Sequence, residues 1–233
     1  EVEMENPIAS DKKFLRANLK DGIKKSLDFN LHYIDLLGLE QIKIFEIGKI
    51  FREGNETDSL VIGVKNQTGF KGNKEDEEIK NVSDLLCDEL GIKIESEFLK
   101  DGILEINFDK MIENLPILES YEDIYVKNDT EAIKYKKISP YPFVLRDIAV
   151  FVPEGVKEND VASIIDREAG ELLVNKKLFD VFVKKYPDGN SKTSFAFRLV
   201  FQSQEKTLQD DEVNKIMEKV SESINSNNGW KVR

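Results

Sequence analysis

Scarcity is the first thing this chain shows. Its 233 residues contain one cysteine (Cys87), one histidine (His32) and one tryptophan. A lone cysteine excludes an internal disulfide and fits a reducing, cytoplasmic setting. A lone histidine leaves nothing for a multi-histidine metal site and little support for a histidine-based triad. No apolar run approaches the ~18–20 residues that span a bilayer, and no signal peptide opens the chain, so no membrane partner is expected. A P-loop and a dinucleotide fingerprint are both missing. The chain opens on Glu1 rather than Met, as a piece of a longer polypeptide would.

Positive charge is scarce as well, and unevenly so. The net charge is −11 and the isoelectric point about 4.8. Residues 137–233 hold 15 basic and 15 acidic side chains, whereas 1–136 hold 19 basic and 30 acidic. Bulk electrostatic attraction to nucleic acid is thereby excluded. Any RNA contact must come from a local cluster on the neutral C-terminal part. With 233 residues, two domains of roughly 100–135 residues are expected, each large enough for its own core.

What is present is most informative at the C-terminal end. In 146–152 Ile148, Val150 and Val152 alternate with Asp147, Ala149 and Phe151, the period of a strand. Pro140 and Pro142 hold the entry extended. Val161, Ile164 and Ile165 recur at helical spacing before Gly170, a natural stop. KKLFDVFV (176–183) reads as a second strand. SFAFRLVFQS (194–203) is a third, with Phe195, Phe197, Leu199 and Phe201 toward a core and Ala196, Arg198, Val200 and Gln202 toward an open face. Thr207, followed by Asp210, Asp211 and Glu212, suits a helix start. Val213, Ile216, Met217, Val220 and Ile224 then mark its buried side, and GWKVR (229–233) closes the chain with a fourth strand. Strand, helix, strand, strand, helix, strand is the split βαβ order of a ferredoxin-like domain, which leaves one sheet face uncovered.

SPYPFVLRD, LFDVF, the phenylalanine-rich strand and TLQDDEV resemble, in order and spacing, the ferredoxin-fold anticodon-binding domain that ends the β subunit of bacterial phenylalanyl-tRNA synthetase. That resemblance implies binding to the anticodon stem-loop region of the phenylalanine tRNA. It also implies a partnership with the catalytic α subunit in a hetero-tetramer of two α and two β subunits. The whole enzyme, by resemblance, uses ATP and magnesium, although the editing domain and the module sharing a magnesium site lie upstream. No editing, cofactor, metal or catalytic residue is therefore assigned to this chain.

The first half reads as α+β. Leu15, Leu19, Ile23, Leu27 and Leu31 predict one amphipathic helix over 12–32. IKIFEIGKIFREGNE (42–56) predicts a strand with Gly48 as a bulge, and SLVIGVK (59–65) another. Ile79, Val82, Leu86 and Leu90 mark a helix ending at Gly91. Short strands follow near 92–98 and 103–108, then a helix near 109–114. FEIGKIFREG resembles motif 2 of class II aminoacyl-tRNA synthetases, in which a strand ending in Phe-Arg-x-Glu aims arginine at the ATP α-phosphate. Phe51 and Arg52 fit, but Glu53 follows at once and Gly54 stands where the family glutamate belongs. No glycine-rich motif 3 follows, and the histidine-proline-glycine segment after the helix NPIASDKKFLRANLKDGI (6–23) is missing. These departures match the non-catalytic class II-like module of the β subunit, in trimmed form, and give Arg52 a structural or subunit-interface role. The expected organisation is a class II synthetase-like antiparallel-sheet module over 1–134, catalytically inactive, followed by a ferredoxin-like βαββαβ domain over 135–233.

Candidate RNA contacts come from the scarce cations of the second domain. Lys184 and Lys185 end the second strand, beside the turn 186–192. Lys192 begins the third strand and Arg198 projects from it. Arg146 enters the first strand, with Asp147 or Asp180 as competing structural partners. His32 is expected at a helix end, Cys87 partly exposed, GFKG (69–72) an ordinary loop rather than an RNA-clamping one, and the acidic runs 75–78 and 210–212 helix starts. Three functions stand open: a non-catalytic, tRNA-holding part of the synthetase; an active class II fragment; and a ferredoxin-like protein-interaction or regulatory domain without tRNA binding.

Overall fold

Alternating apolar residues from Gln41 to Asn66 fold back on themselves as a hairpin, β1 (Gln41–Arg52) and β2 (Asn55–Asn66). The computed structural model describes residues 2–9, 13–117, 137–185 and 191–233. It contains two units, Glu1–Ile34 with Leu39–Thr130 and Asp35–Gly38 with Glu131–Arg233. The hairpin belongs to the first. Its turn residues Glu53 and Gly54 have φ of 53° and 81°, the positive values that a two-residue type I′ turn requires. Pairing is regular from Gln41↔Asn66 to Arg52↔Asn55, so Gly48 lies in register opposite Ser59 and is no bulge. Its missing side chain serves another contact. A Cβ there would stand 2.3 Å from the Arg16 guanidinium, which crosses β1 to donate to Lys49 O and Glu46 Oε1.

Strands β3 (Ser96–Lys100) and β4 (Ile103–Asn107) complete an antiparallel sheet in the order β1-β2-β4-β3. Helix α1 (Lys20–Leu31) lays Ile23 and Leu27 on Ile42, Ile50, Val61 and Ile103. Gly63 makes this approach possible, since a Cβ there would meet Ile23 Cγ2 at 2.5 Å. After the short turn α2 (Ile34–Leu37), helix α3 (Glu75–Leu90) covers the other face. Its Ile79 packs with Leu60, Val64, Leu104 and Ile106, while Val82, Leu86 and Leu90 stay half-buried. Gly91 caps α3 in the left-handed conformation, and α4 (Phe108–Glu113) follows β4. The acidic run 75–78 forms the first turn of α3, where carboxylates oppose the helix dipole.

The helix expected over 12–32 begins only at Lys20; residues 10–12 lie outside those described. Residues 16–18 are committed to other bonds. Arg16 O accepts from Phe51 N, Ala17 O from Arg52 Nε, and Asn18 Oδ1 from Asp21 N. At Arg16 and Ala17 tertiary hydrogen bonds win over helical periodicity, and Asn18 caps the start of α1.

The second unit runs β5 (Val144–Pro153), α5 (Glu158–Ala169), β6 (Leu173–Lys185), β7 (Ser191–Phe201), α6 (Asp210–Asn225) and β8 (Lys231–Val232). The sheet order β6-β7-β5-β8, antiparallel throughout, is the ferredoxin-like arrangement. Phe195, Phe197, Leu199 and Phe201 are 7%, 3%, 0% and 0% exposed, packed on Val161 and Ile165 of α5 and Val213, Val220 and Ile224 of α6. The start of α6 differs from expectation. Its N-cap is Gln209, paired with Glu212 in a capping box, and not Thr207. The Gln209 N–H donates to Glu212 Oε2 at 3.0 Å, so the backbone turns two residues later than the threonine suggests. Ala196 and Val200 are buried rather than lining an open face. Strand β7 is central, and the lead-in Ser139–Phe143 lies beside its end, with Gln202 Nε2 donating to Tyr141 O.

Two predictions follow from this core. Phe197→Ala should cost about 3–5 kcal/mol in denaturant unfolding, whereas Phe182→Ala, at a 55% exposed position, should change stability by less than about 0.5 kcal/mol. A loss under about 1 kcal/mol at Phe197 would reverse the assigned faces. The Glu212 carboxyl is held below its ordinary range by a hydrogen bond from Lys206 and by the Gln209 N–H. A lowered folded-state value stabilises above the unfolded pKa of about 4.3 and is lost as pH falls through the folded value. Glu212→Gln should flatten the thermal midpoint against pH below about pH 5; an unchanged profile would remove this contribution.

Candidate nucleic-acid interface

Strand alternation decides which side chains of the C-terminal unit face away from α5 and α6. On β5, Ile148, Val150 and Val152 are the core set, so Asp147, Ala149 and Phe151 take the other face. Paired residues share a face. Asp147↔Arg198, Ala149↔Ala196 and Phe151↔Ser194 carry it onto β7. On β6 it continues through Lys177↔Arg198, Asp180↔Ala196, Phe182↔Ser194 and Lys184↔Lys192. The irregularity between Leu178 and Asp180 places Phe179 on this face too, its ring 5.4 Å from Arg198 Cζ.

The five candidate cations do not form one cluster. Lys184 and Lys192 lie directly opposite each other on the helix-free face, a like-charge pair that an anion would relieve. Lys185, opposite Ser191, is on the other face, and turn residues 186–190 lie outside those described. Arg198 shares the helix-free face but is committed: its Nε and Nη2 donate to the two Asp147 carboxylate oxygens, each at 2.9 Å. That fork, before any other cause, raises its pKa above the ordinary arginine value. A planar cation held by a carboxylate and an aromatic ring can orient a neighbour, though much of its charge is already matched. Arg146 shares the parity of Ile148. Its partners are Asp210 (2.6 Å) and Asn214 (3.2 Å) of α6, in place of the expected Asp147 or Asp180. The sequence reading paired it along or across the strands and missed that β5 parity sends it toward a helix.

Two cations escaped that reading. Lys231 pairs opposite Phe151, and Arg233 N donates to Ala149 O at 2.9 Å, so both residues adjoin helix-free-face positions. The signal was the period-2 pattern of Lys231-Val232-Arg233, which puts both basic side chains on one face with the apolar Val232 between them.

Arg52, the motif 2-like residue of the first unit, is exposed yet bonded to its own unit. Its Nε donates to Ala17 O at 2.7 Å and its Nη2 lies 4.0 Å from Glu105 Oε1. Glu105 is 1% exposed and accepts from Leu19 N, Lys20 N and Ser59 Oγ at 2.9, 3.3 and 3.1 Å. The carboxylate thus caps α1 from across the sheet, and Arg52 balances its buried charge. Among the described residues, no group of three or more His, Cys, Asp or Glu side chains could hold a metal ion. His32 ends α1 with Nδ1 2.8 Å from Asp28 O, and Cys87 is partly exposed on α3. No helix among the described residues is long and apolar enough to cross a membrane.

Comparison with known proteins follows the same division. Residues 139–233 match the family model "Ferredoxin-fold anticodon binding domain", and residues 1–104 match "Phenylalanyl tRNA synthetase beta chain CLM domain". Among curated relatives, the chain is similar to the phenylalanine–tRNA ligase β subunit of Clostridium tetani, 27% identical over all of this chain and 32% of the relative. For that of Clostridium acetobutylicum the identity is 29%, over 96% of this chain and 31% of the relative. The Carboxydothermus hydrogenoformans subunit is 37% identical over 43% of this chain and 12% of its own length. The chain therefore spans about a third of the length of the first relatives. The alignment with the Clostridium tetani subunit occupies 270 positions, more than the 233 residues here, so that relative carries segments this chain lacks. Two family models that together leave only 105–138 unmatched, and relatives aligned along the whole chain, make it similar, unit by unit, to the C-terminal region of phenylalanyl-tRNA synthetase β subunits.

Proposed function

We propose that this chain is the non-catalytic C-terminal part of a phenylalanyl-tRNA synthetase β subunit. In this reading its ferredoxin-like unit holds the anticodon stem-loop region of the phenylalanine tRNA, and its first unit supports the catalytic α subunit. The observation that carries the RNA half is the helix-free sheet face, with Lys184 and Lys192 opposed on it, in the unit matching an anticodon-binding family. The relatives' printed name, a ligase β subunit, supports the partnership with an α subunit; the cytoplasmic setting and the two-α, two-β assembly are part of the proposal. ATP and magnesium belong, in this reading, to the whole enzyme, and no residue of this chain is assigned to either.

Phosphate contacts drawn from a neutral domain are few, so binding to phenylalanine tRNA should be weak and strongly salt-dependent. Lys184→Ala should reduce the slope of log affinity against log salt by about 1, and Lys185→Ala, on the other face, by less. Equal slopes in both variants would detach RNA binding from this face. A tagged chain should also retain the cognate α subunit in a pull-down; loss of tRNA binding and α-subunit retention together would favour the regulatory-domain reading.

Incubated alone with phenylalanine and ATP, the chain should support no pyrophosphate exchange above background. Arg52→Ala should instead lower the thermal midpoint, because Glu105 loses its nearby cation. Exchange that is present in the wild type and vanishes in this variant would make the first unit a working catalyst.

A further inference from the structure

Most arginines of the C-terminal unit are spent in ion pairs, and three cations without an ion pair among the described residues converge on one hollow. Of its four arginines, Arg146 is held by Asp210 and Asn214, Arg167 by Glu168 and Ser223, and Arg198 by Asp147. Arg233 makes no side-chain ion pair or hydrogen bond among the described residues, and neither Lys231 nor Lys192 makes an ion pair there. These three side chains, with Phe151 and Val232, line a hollow of about 310 Å³ beside β8. Strand pairing explains the convergence. Phe151 lies opposite Lys231, Lys192 lies opposite Pro153 two residues further along β5, and Arg233 is tied to Ala149. At the rim, Glu154 accepts a hydrogen bond from Ser191 Oγ.

Three cations converging on a hollow with one half-exposed aromatic wall suit a phosphodiester with its adjoining nucleoside. The phosphate takes the ammonium and guanidinium donors, and Phe151 offers its ring to the sugar or base. We infer that this hollow is a phosphate-binding site for one nucleotide of an RNA strand, held by Lys192, Lys231 and Arg233 against Phe151. The inference rests on the tRNA-binding reading above and names a site on that face which the strand-end lysines alone did not suggest. The backbone bonds of β8 fix the geometry: Val232 N donates to Asn225 Oδ1 and Arg233 N to Ala149 O, so two exposed side chains can be cut back without disturbing the strand.

The test is fluorescence anisotropy of the full chain with labelled phenylalanine tRNA, and in parallel with a short single-stranded RNA, across a potassium chloride series. Lys231→Ala/Arg233→Ala should weaken binding and make the log–log slope shallower by about 1.4–2, two phosphate contacts' worth. Lys215→Ala/Lys219→Ala removes the same charge from the exposed side of α6 and should leave the slope unchanged. Phe151→Leu should lower affinity with little change of slope. Equal slope changes in the two double variants would overturn the site in favour of bulk charge, and no change in either would place the contacts elsewhere while leaving tRNA binding intact. Binding of the short RNA with the predicted slope loss, but no tRNA binding, would keep the hollow and sink the tRNA reading. Binding of neither RNA would sink both.

Discussion

Strand β7 divides the C-terminal unit into a side that packs under α5 and α6 and a side that faces away from them. Phe195, Phe197, Leu199 and Phe201 fill the space under α5 and α6, while Ser194 and Arg198 alternate with them on the reverse. Because the side-chain period of a strand is two, any slip of register would bring four large apolar groups to the surface together. Burial of that size fixes the neighbours as well, since β5 and β6 pair with β7 along ten or more residues each. The positions of Lys192, Lys184 and Asp147 are consequences of that burial. Side chains on that side are held in place by the core and need no strength of their own.

The first unit shows the same economy with a polar group. Glu105, nearly inaccessible to solvent, takes the backbone donors at the start of α1 and the Ser59 hydroxyl, with Arg52 at its edge. The arginine that ends the motif 2-like strand stands beside this helix-capping carboxylate. The type I′ turn at Glu53–Gly54 completes the change, joining the two strands by the shortest connection and leaving no loop to reach a nucleotide. The strand that resembles a catalytic motif serves here in pairing and packing.

Much of this was legible from residue order. The β7 alternation, the helix stop at Gly91, the acidic helix starts and the βαββαβ order all follow from local patterns that tertiary structure did not override. The failures share a cause. Residues 13–19 have helical periodicity, but their backbone bonds go to Val2, Met4, Phe51, Arg52 and Glu105. Arg146 reads as an edge cation, yet its partner is 64 residues away on α6. Gly48 reads as a bulge, yet its purpose is space for Arg16. Each depends on a contact distant in sequence, which composition and spacing do not encode. Lys231 and Arg233 are readable by their period-2 spacing, but a two-residue strand gives little local signal of which sheet edge it joins.

The central claim is that RNA meets the face of the C-terminal sheet that α5 and α6 leave uncovered. Amide chemical-shift changes, followed while the anticodon stem-loop of phenylalanine tRNA is titrated into the chain, test it most directly. The account predicts changes concentrated at Asp147–Pro153, Lys192–Arg198 and Lys231–Arg233, with α5 and the outer side of α6 silent. Changes centred on α5 and α6, with those strands unaffected, would contradict it.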